Sequence, residues 1–129
     1  MDRPVAATAC RGIRGAITAD DPGAVADAVH AATVELLDAL VTANGCEVAD
    51  LAAAIFTVSD DLAGSNPAAA ARAHGWDQVP LLVVREHDES VGRCVRVLAL
   101  WNTTRPQSEI HHVYLKGARA LRPDLAGFA

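Results

Sequence analysis

The sequence predicts an α+β fold, a mixed sheet with two main helices. Three observations carry this. Apolar residues alternate with polar or small ones over several short segments, whereas residues 22–44 repeat at helical spacing. The resulting order of strand, helix, strand, helix and then three strands departs from the regular alternation of a doubly wound sheet. The length of 129 residues suits one domain. It is expected to span 10–129, with 1–9 as a flexible tail and a mobile C-terminal segment from about 117. A chain this long buries about 65–70% of its unfolded surface, enough to fold without metals or disulfides.

Residues 10–18 (CRGIRGAIT) read as the first strand. Arg11, Ile13, Gly15 and Ile17 share one face; Cys10, Gly12, Arg14 and Ala16 share the other. Ile13 and Ile17 point to the core, and Arg14 stands among small residues that leave room for a ligand. Arg11, on the apolar face, is expected to end at an edge or interface. Asp21 is expected to cap a helix that Pro22 begins. Val25, Val29, Ala32, Leu36 and Leu40 form its apolar stripe, and Gly45 stops it. A short helical turn at 46–52 leads into a strand at 53–59. Asp60, Asp61 and Gly64 mark a solvated loop. Asn66 then caps a short helix that starts at Pro67 and ends at Gly75. Strands at 78–85 and 94–101 flank the polar segment 86–93 and are expected to pair as an antiparallel hairpin. A loop or short helix covers 102–110, and a last strand at 111–116 leads to an irregular C-terminal stretch.

Composition excludes several function classes. A net charge of −5 argues against nucleic acid or an anionic membrane surface as partner. No run approaches the ~20 apolar residues that span a bilayer. The opening MDRPVAATA lacks a hydrophobic signal region, so a soluble, cytoplasmic protein is expected. Cys10, Cys46 and Cys94 are too scattered for a disulfide framework or a zinc set, and His111 and His112 point to opposite sides of a strand. No metal is expected. Neither a Ser-His-Asp nor a Cys-His set can be assembled, and Gly12 and Gly15 do not make a phosphate loop. The apolar share of 51%, rich in alanine and poor in aromatics, leans toward an oligomer.

Against this background a few lone polar residues stand among apolar strands: Arg14, Glu86, Arg96, Tyr114 and Arg122. Arginines with one carboxylate and one phenol suit a small, doubly anionic organic molecule. They offer forked donors for carboxylates and an acceptor for a hydroxyl, with no nucleophile. Other readings of the same residues stay open. Arg96 either faces a ligand, begins its strand at the surface, or pairs with Glu86 across the hairpin. Glu86 also reads as a solvated turn residue, Tyr114 as a core or interface tyrosine, and Arg122 as a surface arginine. A biased genome explains ten arginines beside one lysine (Lys116), but not these positions.

Taken together, the segments resemble the monofunctional chorismate mutases of the trimeric α/β-barrel class, as distinct from the all-helical class. The resemblance runs from about Cys10 to Leu125. It rests on RGIRGA at 11–16, the DP before helix one, GW-x-x-VP at 75–80 and E-x-D at 86–88. C-x-R-V at 94–97, HVYL at 112–115 and LRPDL at 121–125 complete it. It implies a homotrimer with active sites between subunits. The implied reaction is the Claisen rearrangement of chorismate to prephenate, which needs no nucleophile, metal or cofactor. By resemblance, Arg96 would donate to the ether oxygen and Glu86 would accept from the ring hydroxyl. Arg14 and Tyr114 would hold the side-chain carboxylate. Leu121 and Arg122 would belong to a closing C-terminal segment, and Arg72 would sit near the mouth of the site. The neighbouring subunit would supply Asn66, Ala68, Ala69, Leu81, Leu82 and Val83.

The chain departs from the best-known family pattern. Asn66, Ala69 and Val83 stand where an aromatic, a lysine and a cysteine are usual, and the segment after Glu86 is two residues shorter. The rivals to an active mutase are a non-catalytic trimer that binds chorismate-like dianions and a trimer of the imine-deaminase kind. Intact Arg14, Glu86, Arg96 and Tyr114 favour the mutase.

Overall fold

The computed structural model describes residues 7–87 and 90–125. Five strands form one mixed sheet in the order β3-β2-β4-β1-β5. They are β1 (Ala9–Thr18), β2 (Leu51–Val58), β3 (Leu81–Arg85), β4 (Cys94–Thr103) and β5 (Val113–Leu115). The two helices are α1 (Val25–Asn44) and α2 (Pro67–Ala71). The α+β expectation therefore holds. Asp88 and Glu89, the end of the E-x-D motif, lie outside the described residues, as does most of the expected tail. Ala9, assigned to that tail, is already in β1.

Period-two alternation sorts the sheet into two faces. Ile13, Ile17, Phe56, Val95 and Ala99 are fully buried on the helix side. There α1 lays down Val29, Ala32, Leu36, Leu37 and Leu40, all buried, to form the main core. Gly15 lets α1 and β5 come close to β1. A Cβ there would sit 3.1 Å from Leu36 Cδ1 and 3.3 Å from the Val113 carbonyl. Val25, placed in the stripe by its spacing, remains 37% exposed at the first turn.

The expected hairpin does not form. The strands at 78–85 and 94–101 are separated by β2, which pairs parallel with β3 and antiparallel with β4. β2 is thus an inner strand whose Leu51, Ala54, Phe56 and Val58 are buried in the main core. Arg85 and Val95 therefore both pair with Val58, one on each side of β2. Arg93, just before β4, is tied down. Arg93 donates from Nε to the Ala19 carbonyl (2.7 Å) and from a terminal nitrogen to the Asp21 carbonyl (3.1 Å).

That tie explains a second correction. With 19–21 held as β1 leaves the sheet, α1 starts only after Gly23. Its N-cap is Ala24, without a side-chain cap, rather than Asp21. Gly45 closes α1 as expected, left-handed at φ 62. Asn66 caps α2, its side-chain oxygen accepting from the Ala69 N–H at 3.2 Å. Asp60 and Asp61 are not merely solvated. Asp60 accepts from Arg85 Nε at 2.6 Å, and Asp61 accepts the Arg93 N–H through both oxygens (2.9 and 2.8 Å).

Strand ends shift where turns intervene. β3 begins at Leu81 because Val79 N–H closes a turn onto the Trp76 carbonyl. β5 is shorter than 111–116 because buried Asn44 engages His111. Asn44 Nδ2 donates to the His111 carbonyl (2.9 Å), and His111 N–H donates to Asn44 Oδ1 (2.8 Å). After β5 come two tight helical turns, Lys116–Ala120 and Pro123–Leu125. Among the described residues no helix is long and apolar enough to cross a membrane.

Candidate active site

The face of the sheet opposite α1 carries the cleft. Register puts its side chains in two transverse rows. One runs Thr57, Arg96, Ala16 and Tyr114 across β2, β4, β1 and β5. The next runs Ile55, Leu98 and Arg14. Glu86 follows β3 with the parity of Leu82 and Val84, so it faces the same side, and its N–H donates to the Val58 carbonyl at 3.3 Å. Arg14, Ile55, Thr57, Glu86, Arg96, Leu98 and Tyr114 line, with Leu121 and Arg122, a cleft of about 450 Å³. That volume suits a small organic ligand.

Arg14, Glu86, Arg96, Tyr114, Leu121 and Arg122, all singled out in the sequence, thus converge on one cleft. Arg14, Arg96 and Arg122 share the cleft lining with Glu86, concentrating positive charge on an acidic protein. Arg96 Nε lies 3.3 Å from Glu86 Oε2, with side-chain exposures of only 24% and 18%. The pairing foreseen as an alternative therefore exists, but inside the cleft and across β2 rather than on a surface hairpin. Tyr114 is 6% exposed and packs with Ala16, Cys94 and Ala118 beneath the C-terminal turns. Arg122 forks onto Asp124, Nε to Oδ1 at 3.1 Å and a terminal nitrogen to Oδ2 at 2.8 Å. Each holds the other in its charged form: the hydrogen bond pushes the Arg122 guanidinium up and the Asp124 carboxyl down.

Thr57 is the site residue that sequence reasoning missed. Its hydroxyl donates to Glu86 Oε2 at 2.8 Å, the same oxygen that faces Arg96. The signal was a lone hydroxyl in an apolar strand, legible only once β2 is known to lie between β3 and β4. Cys94 packs against Tyr114 rather than lining the cleft, and burial pushes its thiol up to about 11. Among the described residues no cluster of His, Cys, Asp and Glu could hold a metal ion.

Arg72, Asn66, Ala68, Ala69, Leu81, Leu82 and Val83 do not line the cleft of the single chain. They lie on α2, the turn after it, and β3. Within this group Leu82 is 62% and Val83 37% exposed.

A mixed sheet with one helix-covered face, and a cleft lined by three arginines and a glutamate on the other, defines an α+β protein with a cleft suited to small anions. The family model for chorismate mutase type I matches residues 10–125, and the chain belongs to that family. It is 52% identical to chorismate mutase AroH of Thermus thermophilus over 118 residues, covering 89% of this chain and 95% of that protein. Identity to chorismate mutase AroH of Bacillus subtilis (strain 168) is 34% over 119 residues, covering 90% and 92%. Among solved structures, a chorismate mutase from Clostridium thermocellum superposes with a TM-score of 0.78 at 40% identity. It covers 84% of this chain and 97% of that one.

Proposed function

We propose that this cleft converts chorismate to prephenate, the step that leads toward phenylalanine and tyrosine. The carrying observation is the Arg96–Glu86 pair at the centre of an arginine-lined cleft in a chain of this family. In this rearrangement one C–O bond breaks as one C–C bond forms, within a single molecule. No atom, proton or electron passes to the protein. Catalysis must then come from selecting a compact conformer and from charge placed where the transition state needs it.

Each residue has a role in that scheme. Arg96 donates to the ether oxygen, which gains negative charge as the C–O bond breaks, so its bond is stronger in the transition state than in the substrate. Glu86 accepts from the ring hydroxyl and offsets the positive character of the ring fragment. Arg14 and Tyr114 hold the side-chain carboxylate, and Arg122 covers it from the C-terminal turn. The reaction requires neither metal nor cofactor.

The working form in this reading is a homotrimer in the cytoplasm. The neighbouring subunit closes the cleft with α2 and β3, including Asn66, Ala68, Ala69, Arg72 and residues 81–83. Support comes from edge strand β3, which leaves Leu82, Val83 and Val84 exposed, and from Leu98, 38% exposed in the cleft. Three free cysteines fit a reducing compartment. The test is loss of the chorismate diene absorbance, with the product identified as prephenate by acid conversion to phenylpyruvate. Turnover without added metal or cofactor supports the reading, and saturable binding without turnover sinks it.

A further inference from the structure

Arg14 sits where the sheet runs out of strand. β5 has only three residues and pairs with Gly15, Ala16 and Ile17. One rung further, side chains replace the missing strand along the edge of β1. The Arg14 N–H donates to His112 Nδ1 at 3.0 Å. Beyond it Gln107 takes both main-chain groups of Gly12, accepting its N–H at 3.0 Å and donating to its carbonyl at 2.7 Å. His112 is itself held by the Asn44 clamp on the adjacent His111.

We propose that His112 is a positioning residue whose neutral imidazole fixes the Arg14 rung beside the cleft, and that protonation of His112 releases it. The proposal rests on the reading of Arg14 as the holder of a substrate carboxylate. A main-chain N–H needs a lone pair on Nδ1, so the proton of the neutral ring sits on Nε2. In the imidazolium both nitrogens carry protons, and Nδ1–H would face the Arg14 N–H. The charged and titratable groups facing His112 are Arg14 from β1, Arg122 from the C-terminal turns and its neighbour His111. Asn44 of α1, which holds the adjacent His111, and Gln107, which lines a cleft with His112, are uncharged. Burial first, and then the Arg14 and Arg122 guanidiniums, holds the His112 pKa below the usual histidine range, so the neutral acceptor prevails at neutral pH. The sign follows. A folded-state pKa below the unfolded one means the contact is present above the unfolded pKa and is lost as pH falls through the folded one.

The test combines two readouts over about pH 5 to 8: the ¹⁵N shift of the Arg14 amide and kcat/KM for chorismate. His112→Asn keeps an acceptor oxygen that cannot be protonated in this range, whereas His112→Leu removes the acceptor. In the wild type, the Arg14 amide and kcat/KM should titrate together, with kcat/KM falling about tenfold at the acid end. In His112→Asn neither should titrate, and kcat/KM at the alkaline end should stay within about threefold of wild type. His112→Leu should be about tenfold lower there while still folding, as read by circular dichroism. An Arg14 amide indifferent to pH, an acid limb retained in His112→Asn, or wild-type kcat/KM in His112→Leu would each overturn the proposal. If His112→Leu fails to fold, the wild type and His112→Asn still decide. If the wild type does not turn over chorismate, the mutase reading fails, and the amide titration alone tests the link.

Discussion

Glu86 and Arg96 meet above Thr57: the Thr57 hydroxyl lies 2.8 Å from Glu86 Oε2, and Arg96 Nε lies 3.3 Å from the same oxygen. The two charged residues belong to chain segments on either side of β2, and the middle strand supplies the hydroxyl that sets the carboxylate. One Glu86 oxygen is thereby held from two strands, by the β2 hydroxyl and the β4 guanidinium.

Arg96→Ala should lower kcat by about 10²–10³-fold, the loss typical of one preorganised donor to a developing oxyanion. Steady-state kinetics on chorismate measures it. Near-wild-type kcat would remove Arg96 from the reacting oxygen.

Thr57→Val should lower kcat/KM by about tenfold or more, since a hydrogen bond to a charged group contributes about 1.5–3 kcal/mol. Thr57→Ser, which keeps the hydroxyl, should stay close to wild type. Equal kinetics in the two variants would mean that Glu86 needs no help from β2.

Arg122→Ala should raise KM more than it lowers kcat, because Arg122 sits on an exposed turn with Asp124 and acts on binding. The opposite split would place its guanidinium against the transition state.

Asn44→Ala should destabilise the fold by about 2–3 kcal/mol, since it strands both main-chain groups of His111 and removes a bond to the Leu40 carbonyl. Urea unfolding measures this. A loss below about 0.5 kcal/mol would show that water replaces the clamp.

Thiol titration of the native protein near neutral pH should modify the exposed Cys10 quickly and Cys94 only on unfolding. The Cys94 thiol, raised to about 11 by burial, carries almost no thiolate there. Fast labelling at Cys94 would mean that the C-terminal turns open readily.

Much of this was legible beforehand because local rules governed it. The Val29, Ala32, Leu36 and Leu40 stripe and the Gly45 stop mark α1, and alternation puts Arg14 and Arg96 on their correct faces. What failed were relations between distant segments. The strands at 78–85 and 94–101 looked like a hairpin because sequence neighbours often pair, yet β2 lies between them. Asp21 had the chemistry of a cap, but Arg93 holds its carbonyl outside the helix. Thr57 went unnoticed for the same reason as the hairpin error. Residues 66–69 and 81–83 came from the family resemblance alone, and one chain does not bring them to its cleft.

The central place of β4 also sets a timetable. β1 is made first, yet among the described residues its partners are β4 and β5, which are made late. Until Cys94–Thr103 leaves the ribosome, only the parallel β2–β3 pair can form, and α1 lacks most of the surface it covers. Synthesis and assembly therefore run in opposite orders. The growing chain must carry an unpaired, apolar first strand for most of its synthesis, when an outside binding partner would protect it best.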